Sequence, residues 1–178
     1  MRGAHGTIAF SVTIPDHVAD INSCESLFLR YIAEPQNNVL QILVEEAITS
    51  AATSTVELAG VSLAVRTIQG TDRSRIWEIV WNPYIAYSVR NESYATEDKA
   101  ENDGGRRFRI YSKSHFIDFV SVSTFATAEY PGQYRHMSVS CEDHVVDVAS
   151  VNIPAIRLVE LSDTLQNVGR STVFRRSP

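Results

Sequence analysis

The second half of the chain contains the residues best suited to acid–base chemistry. His115 and Asp118 lie three positions apart in a segment with helical spacing, so their side chains project from neighbouring positions on one helix surface. A carboxylate that orients an imidazole is an arrangement used in general acid–base catalysis. The same spacing is also typical of a histidine near a helix start followed by a solvent-exposed aspartate, so the pair is a candidate and not a signature.

A second candidate group lies in a predicted hairpin at 135–151. His136 and His144 flank this hairpin, where two imidazoles can face one another and share a proton or a metal ion with Asp143 or Asp147. Because successive residues of a strand point to opposite faces, His144 and Asp147 are expected on opposite sides of the sheet. Two ordinary sheet histidines are the alternative interpretation.

Arginines follow directly after an acidic loop. Arg107 and Arg109 share one face of an alternating strand with Tyr111, and paired guanidinium groups bind carboxylates or phosphates through forked hydrogen bonds. The preceding residues 91–105 contain five acidic side chains and one lysine. Neutralisation of the arginines by this loop is therefore the alternative to a site for a small anionic ligand.

An aromatic cluster precedes these charged segments. Trp77, Trp81, Tyr84 and Tyr87 lie close together in the sequence, and the two tryptophans share one strand face. Such a cluster suits an aromatic-lined ligand pocket or a protein-binding surface, with Trp77 and Trp81 as the binding residues. Aromatic strands also build hydrophobic cores, which is the alternative for these residues.

Composition excludes several classes of protein. The chain has 178 residues, 44% hydrophobic and 21% charged, with a net charge of −5, which is typical of an ordinary globular domain and argues against a nucleic-acid binder. Cys24 and Cys141 are far apart without metal-binding spacing, and no nucleotide, calcium or hydrolase motif is present, so we expect neither a metal nor a cofactor. Without an export signal or an apolar spanning segment, we expect a cytoplasmic protein that does not insert into a membrane.

Period-two patterning dominates the chain and predicts mainly β-structure. A short helix is predicted at 25–31 and a longer one at 112–127, where Phe116, Phe119, Val120 and Ser123 form the stripe expected to dock on a sheet. Phe116 and Phe119 are thus expected to be buried and Asp118 exposed. Strands are predicted at 7–14, 39–48, 56–68, 76–81, 85–89, 106–111, 135–141, 145–151 and 154–161, with the segments 56–68 and 76–81 paired through a turn.

These elements predict an α+β fold with a mainly antiparallel curved sheet or incomplete barrel and one or two helices packed on it. We expect a single globular domain at 1–168 and a flexible basic tail at 169–178. The leading hypothesis is a non-enzymatic binding or interaction protein, whose partner is a protein, a small anionic ligand or a second copy of the chain. The alternatives are a small-ligand carrier with an aromatic-lined cavity, and a small hydrolase or isomerase. In that enzyme, His115 or His144 acts as base, Asp118 or Asp147 orients it, and Arg107 or Arg109 holds an anionic substrate.

Overall fold

The computed structural model describes residues 16–96 and 98–160, which form two antiparallel β-sheets and two α-helices. The first sheet has the order β1 (Ser26–Gln36), β2 (Val39–Leu58), β4 (Ile76–Trp81) and β10 (Ala155–Leu158). The fifth strand, β3 (Val61–Gln69), pairs with the C-terminal half of β2, from Ile48 to Leu58. The second sheet has the order β5 (Ala86–Asn91), β9 (His144–Ser150), β8 (Arg135–Ser140), β7 (Phe108–Lys113) and β6 (Asn102–Gly104). Helix α1 spans Asp16–Ser23, helix α2 spans His115–Ser123, and a single 3₁₀ turn lies at Glu92–Tyr94.

A shared apolar core holds the two sheets together. Alternate residues along β2 and β4 face this core, because side chains on a strand point to opposite faces in turn. Helix α1 contributes Val18 and Ile21 and contacts β7 and β10, so it bridges one side of both sheets. The first sheet contributes Leu27, Leu40, Ile42, Val44, Trp77, Ile79 and Trp81, and the second contributes Phe108, Met137, Val139, Val146 and Val148.

The predicted fold class is confirmed: the strands are antiparallel, and α2 packs on β8 and β9 of the second sheet. The strands are divided between two sheets, and neither closes into a barrel within the described residues. The hairpin predicted at 135–151 is confirmed as β8 and β9. The helix predicted at 112–127 is confirmed with shorter bounds, His115–Ser123.

The helix predicted at 25–31 is wrong, because these residues belong to β1. Leu27, Phe28 and Tyr31 have a spacing that suits one face of a helix, but β1 pairs with β2 from Ser26 opposite Ala47 onward. Pairing with a distant strand decides the structure here over local spacing. The helix of this region lies earlier in the chain, as α1.

The strand pairing predicted for 56–68 is also wrong. The chain reverses at Ala59 and Gly60, whose φ angles of 50° and 78° suit a two-residue turn with both central residues in the left-handed region. As a result, β3 pairs with β2 and not with β4. Residues 51–69 are all exposed and form a hairpin, which we call the arm.

Two predictions fall outside the described residues, namely the strand at 7–14 and the basic tail at 169–178. The extent of the globular domain at its two ends therefore stays a prediction. Within the described ranges, neither helix has the length and apolar character needed to cross a bilayer.

Candidate functional site

A buried chain of hydrogen bonds fixes the start of α2. Ser114 has extended backbone angles and caps the helix, its Oγ accepting a hydrogen bond from the Ile117 backbone N–H at 3.1 Å. The same Oγ lies 2.8 Å from Nδ1 of His136 on β8. Since Oγ accepts from Ile117, its own proton is available to donate to Nδ1 when that nitrogen is unprotonated.

Asp147 of β9 completes this chain. Its Oδ1 lies 3.0 Å from His136 Nε2, and its Oδ2 accepts a hydrogen bond from Arg90 Nε at 2.9 Å. Burial alone would raise the pKa of Asp147, but the hydrogen bonds from His136 and Arg90, together with the charge of Arg90, hold it below its ordinary value of 3.8. The carboxylate is therefore ionised at neutral pH and accepts hydrogen bonds from both neighbours. We call Ser114, His136, Asp147 and Arg90 the buried network.

Aromatic rings enclose the imidazole. The Tyr111 ring stacks on His136 with centroids 4.1 Å apart, and the Phe116 ring lies 5.0 Å away. Ser114, His136 and Asp147 are each only 2% exposed. Hydroxyl, imidazole and carboxylate are the groups of a nucleophilic triad, but a buried Ser114 hydroxyl that caps a helix is not open to a substrate carbonyl. What the arrangement does is attach α2 to three strands of the second sheet.

The acidic loop attaches to the same helix start from outside. His115 Nε2 lies 2.8 Å from Asp98 Oδ2, and the His115 backbone N–H donates to Glu101 Oε1 at 2.9 Å. A carboxylate at a helix N-terminus is favoured by the helix dipole and by the unpaired N–H groups there. Residues 98–101 thus extend the fixed structure around the first turn of α2.

We expect the His115 pKa to fall toward its ordinary value of 6.5 in Asp98→Asn, because the hydrogen bond that the His115 ring donates to Asp98 is the largest cause of its raised pKa. A raised pKa means that the pair stabilises the fold below pH 6.5, and that this contribution is lost as pH rises through the folded-state pKa. A proton NMR titration of the histidine rings measures the shift, with Asp143→Asn as the matched control. An unchanged His115 titration in Asp98→Asn would contradict the geometry.

Four large apolar side chains on α2 and in the segment that follows it are exposed in the described structure. Phe119 is 59% exposed, Val122 84%, Phe125 81% and Tyr130 65%, and the Phe125 and Tyr130 rings stack with centroids 6.0 Å apart. These four side chains are called the α2 surface below. The prediction that Phe119 is buried is wrong. The sheet-facing side of α2 is centred on the buried Val120, and the neighbouring Phe119 is rotated by one residue step toward solvent.

The predicted His/Asp pairs are not the pairs that the structure forms. Asp118 is exposed, as predicted, but the His115 ring contacts Asp98 instead. His144 lies 3.0 Å from Asp143, while Asp147 contacts His136. His144 and Asp147 lie three positions apart on β9, so strand alternation points their side chains to opposite faces of the sheet.

Arg107, Arg109 and Tyr111 line a common cleft of about 490 Å³. Both guanidinium groups contact protein oxygens there. Arg109 Nη1 lies 3.5 Å from Asp103 Oδ2, and Arg107 donates to the Glu25 backbone carbonyl. The Asp103 contact is the neutralisation by the acidic loop that the sequence offered as an alternative, and an anionic ligand in this cleft stays a prediction.

Trp77 and Trp81 are fully buried between the sheets. The core alternative therefore describes both residues, which do not form a binding surface. The two residues lie four positions apart on β4 and face the second sheet, in agreement with the shared strand face predicted from the sequence.

Sequence reasoning did not bring Ser114, His136, Asp147 and Arg90 together. The four residues come from β5, from β8, from β9 and from the residue before α2, and only pairing of the three strands joins them. No sequence pattern indicated this grouping. Ser88, Ser138 and Asp147 become opposite one another only in the observed register, where a polar row crosses β5, β9 and β8.

Comparisons of the chain with protein-family models, with curated proteins and with solved structures found no match. Within residues 16–96 and 98–160, no three histidine, cysteine, aspartate or glutamate side chains converge on a point that suits a metal ion. Functional inference therefore rests on the geometry of the site.

Proposed function

We propose that this protein is a non-enzymatic binding protein that engages a basic protein partner through the α2 surface. The observation that supports this most directly is the exposure of Phe119 on α2 and of Phe125 and Tyr130 in the segment that follows it. Interfaces between proteins concentrate aromatic side chains at their centre, and such residues dominate the binding energy. A monomeric protein exposes large apolar clusters at a cost in solubility, which a partner removes.

Charge indicates the kind of partner. Residues 114–134 contain Asp118 and Glu129 and neither lysine nor arginine. Asp98 and Glu101 lie beside the start of the same helix. An apolar centre with an acidic rim is complementary to an apolar patch surrounded by lysines and arginines, and such a rim raises the association rate and selects against acidic proteins.

The buried network supports the proposal because it holds α2 in place before a partner binds. Binding costs less entropy when the surface is already held in its bound conformation. Ser114, His136 and Asp147 fix the first turn of α2 to the sheet, so the helix presents its outer surface without first becoming ordered. The cytoplasm, predicted from the sequence, is the compartment in which we propose that the partner is met.

The enzyme hypothesis has weaker support. It requires a base and an orienting carboxylate beside bound substrate, whereas the His136–Asp147 pair lies buried under Tyr111 and Phe116. The exposed His115–Asp98 pair contacts the helix start, and within the described residues its hydrogen-bond partners include no nucleophile.

A photo-crosslinking experiment tests the proposal. A photoreactive amino acid at position 122 in the full chain, in a lysate of the source organism, is expected to capture a basic protein, which is then purified for binding measurements. We expect the double variant Phe119→Ser/Phe125→Ser to weaken that binding at least roughly tenfold, since each central aromatic contact is worth more than about 1 kcal/mol. Added salt is expected to slow association, because the rim acts through charge.

Leu158→Ser is the matched control, since Leu158 is 49% exposed on the first sheet, away from α2. Circular dichroism and urea unfolding establish that all variants remain folded. Unchanged binding in the double variant would show that the α2 surface is not the interface. An acidic captured protein would refute the charge argument.

A further inference from the structure

The arm, residues 51–69, has one apolar and one polar face. Residues opposite each other in the β2–β3 register share a face, and these pairs are Leu58 with Val61, Val56 with Leu63, and Ser54 with Val65. Five of these six side chains are aliphatic, and Leu58 is 64% exposed. The other face carries Thr53, Thr55, Glu57, Ser62, Ala64 and Arg66.

The arm has a free strand edge that can accept a further strand. Two strands alone are marginally stable in water and gain stability from a further strand or from a packed apolar face. Within the described residues β3 pairs only with β2, so one edge of β3 presents unpaired backbone N–H and C=O groups. Edges of this kind pair with other strands unless charges, prolines or bulges prevent it. β3 has no proline and only one charged residue, Arg66.

We propose that the arm pairs with the arm of a second copy of this chain, β3 lying antiparallel to β3 about a two-fold axis. The two hairpins then form one four-stranded sheet with a continuous apolar face. The free edge of β3 is complementary to itself, which a two-fold interface requires, because its backbone N–H and C=O groups pair with the same groups of the antiparallel strand in the other copy.

Charge fixes the register. Glu57 and Arg66 are the only charged residues of the arm. Within one hairpin they stand apart, because Glu57 is opposite Ser62 and Arg66 is opposite Thr53, four residues further along β3. Four residues of strand span roughly 13 Å, which is too far for an ion pair.

In the dimer the two charges meet. When Leu63 lies opposite Val65 of the second copy, Arg66 lies opposite Ser62 of that copy, whose hydroxyl already donates to Glu57 on the neighbouring strand. Arg66 and Glu57 of different copies are then two strand spacings apart, roughly 10 Å between backbones, and their extended side chains reach one another across the small serine. Symmetry forms this contact twice.

Charge reversal tests the proposal in the full chain. We expect the wild type to show a concentration-dependent monomer–dimer equilibrium by sedimentation. Glu57→Arg and Arg66→Glu are each expected to raise the dimer dissociation constant by roughly tenfold or more, because both symmetric contacts change from attraction to repulsion. The double variant Glu57→Arg/Arg66→Glu is expected to restore the wild-type constant.

Restoration is specific to pairing between copies, since the two residues do not meet within one hairpin. Both positions are exposed, so urea unfolding is expected to show folded variants. The Phe119→Ser/Phe125→Ser variant is the control and is expected to dimerise normally, which separates this interface from the α2 surface. A protein that is monomeric at every concentration would overturn the proposal. A dimer insensitive to both single reversals would also overturn it.

Discussion

Replacing Asp147 by alanine is expected to lower the free energy of unfolding by about 3 kcal/mol, which is near the lower end of the cost of breaking a buried pair. The change leaves the His136 Nε2 proton buried without an acceptor and opens a small cavity between β8 and β9. Arg90 limits the loss, because its side chain is 50% exposed and can turn into water. Urea unfolding at neutral pH measures the effect.

Asp118→Ala is the matched control for this change. Asp118, like Asp147, lies between two apolar residues in the sequence, but its carboxylate is exposed on α2. Its removal is therefore expected to shift the free energy of unfolding by no more than about 0.5 kcal/mol. Equal midpoints for the two variants would mean that the buried network does not stabilise the fold.

The same residue gives the stability a pH dependence with a definite sign. Because the folded-state pKa of Asp147 lies below its ordinary value of 3.8, its contribution is fully present above that range and is lost as pH falls through the lowered value. Asp147→Asn cannot show this loss. The difference in unfolding free energy between wild type and Asp147→Asn should therefore shrink below about pH 4.

Local patterns predicted the elements whose structure is decided locally. The helical spacing of apolar residues within 112–127 predicts α2, and the alternation within 135–151 predicts the β8–β9 hairpin. The helix prediction at 25–31 is wrong because the spacing of the apolar residues there suits a helix and a strand almost equally, and only pairing with β2 decides between them. A short segment of sequence does not reveal which distant strand it will pair with.

The candidate site was harder to predict than the fold for the same reason. His115 and Asp118 were grouped because they are close in sequence, whereas the network joins Arg90 to Ser114 and to residues on β8 and β9. Their side chains meet only after three strands have paired in one register. The sequence also predicts the wrong face of α2 for Phe119, which is exposed although the next residue, Val120, is buried.

Trp81→Ala is expected to lower the free energy of unfolding by about 3 to 5 kcal/mol, whereas Phe119→Ala should leave it within about 0.5 kcal/mol of wild type. Both changes remove a large ring, but Trp81 is fully buried between the sheets and its loss leaves a cavity, while Phe119 already contacts water. Urea midpoints with unchanged slopes measure the two effects. If Phe119→Ala proved as costly as Trp81→Ala, the ring would be part of the core, and the α2 surface would lose its central aromatic. If Trp81→Ala is costly and Phe119→Ala is neutral, the Phe119 ring does not stabilise the fold and is available for the contact that we propose.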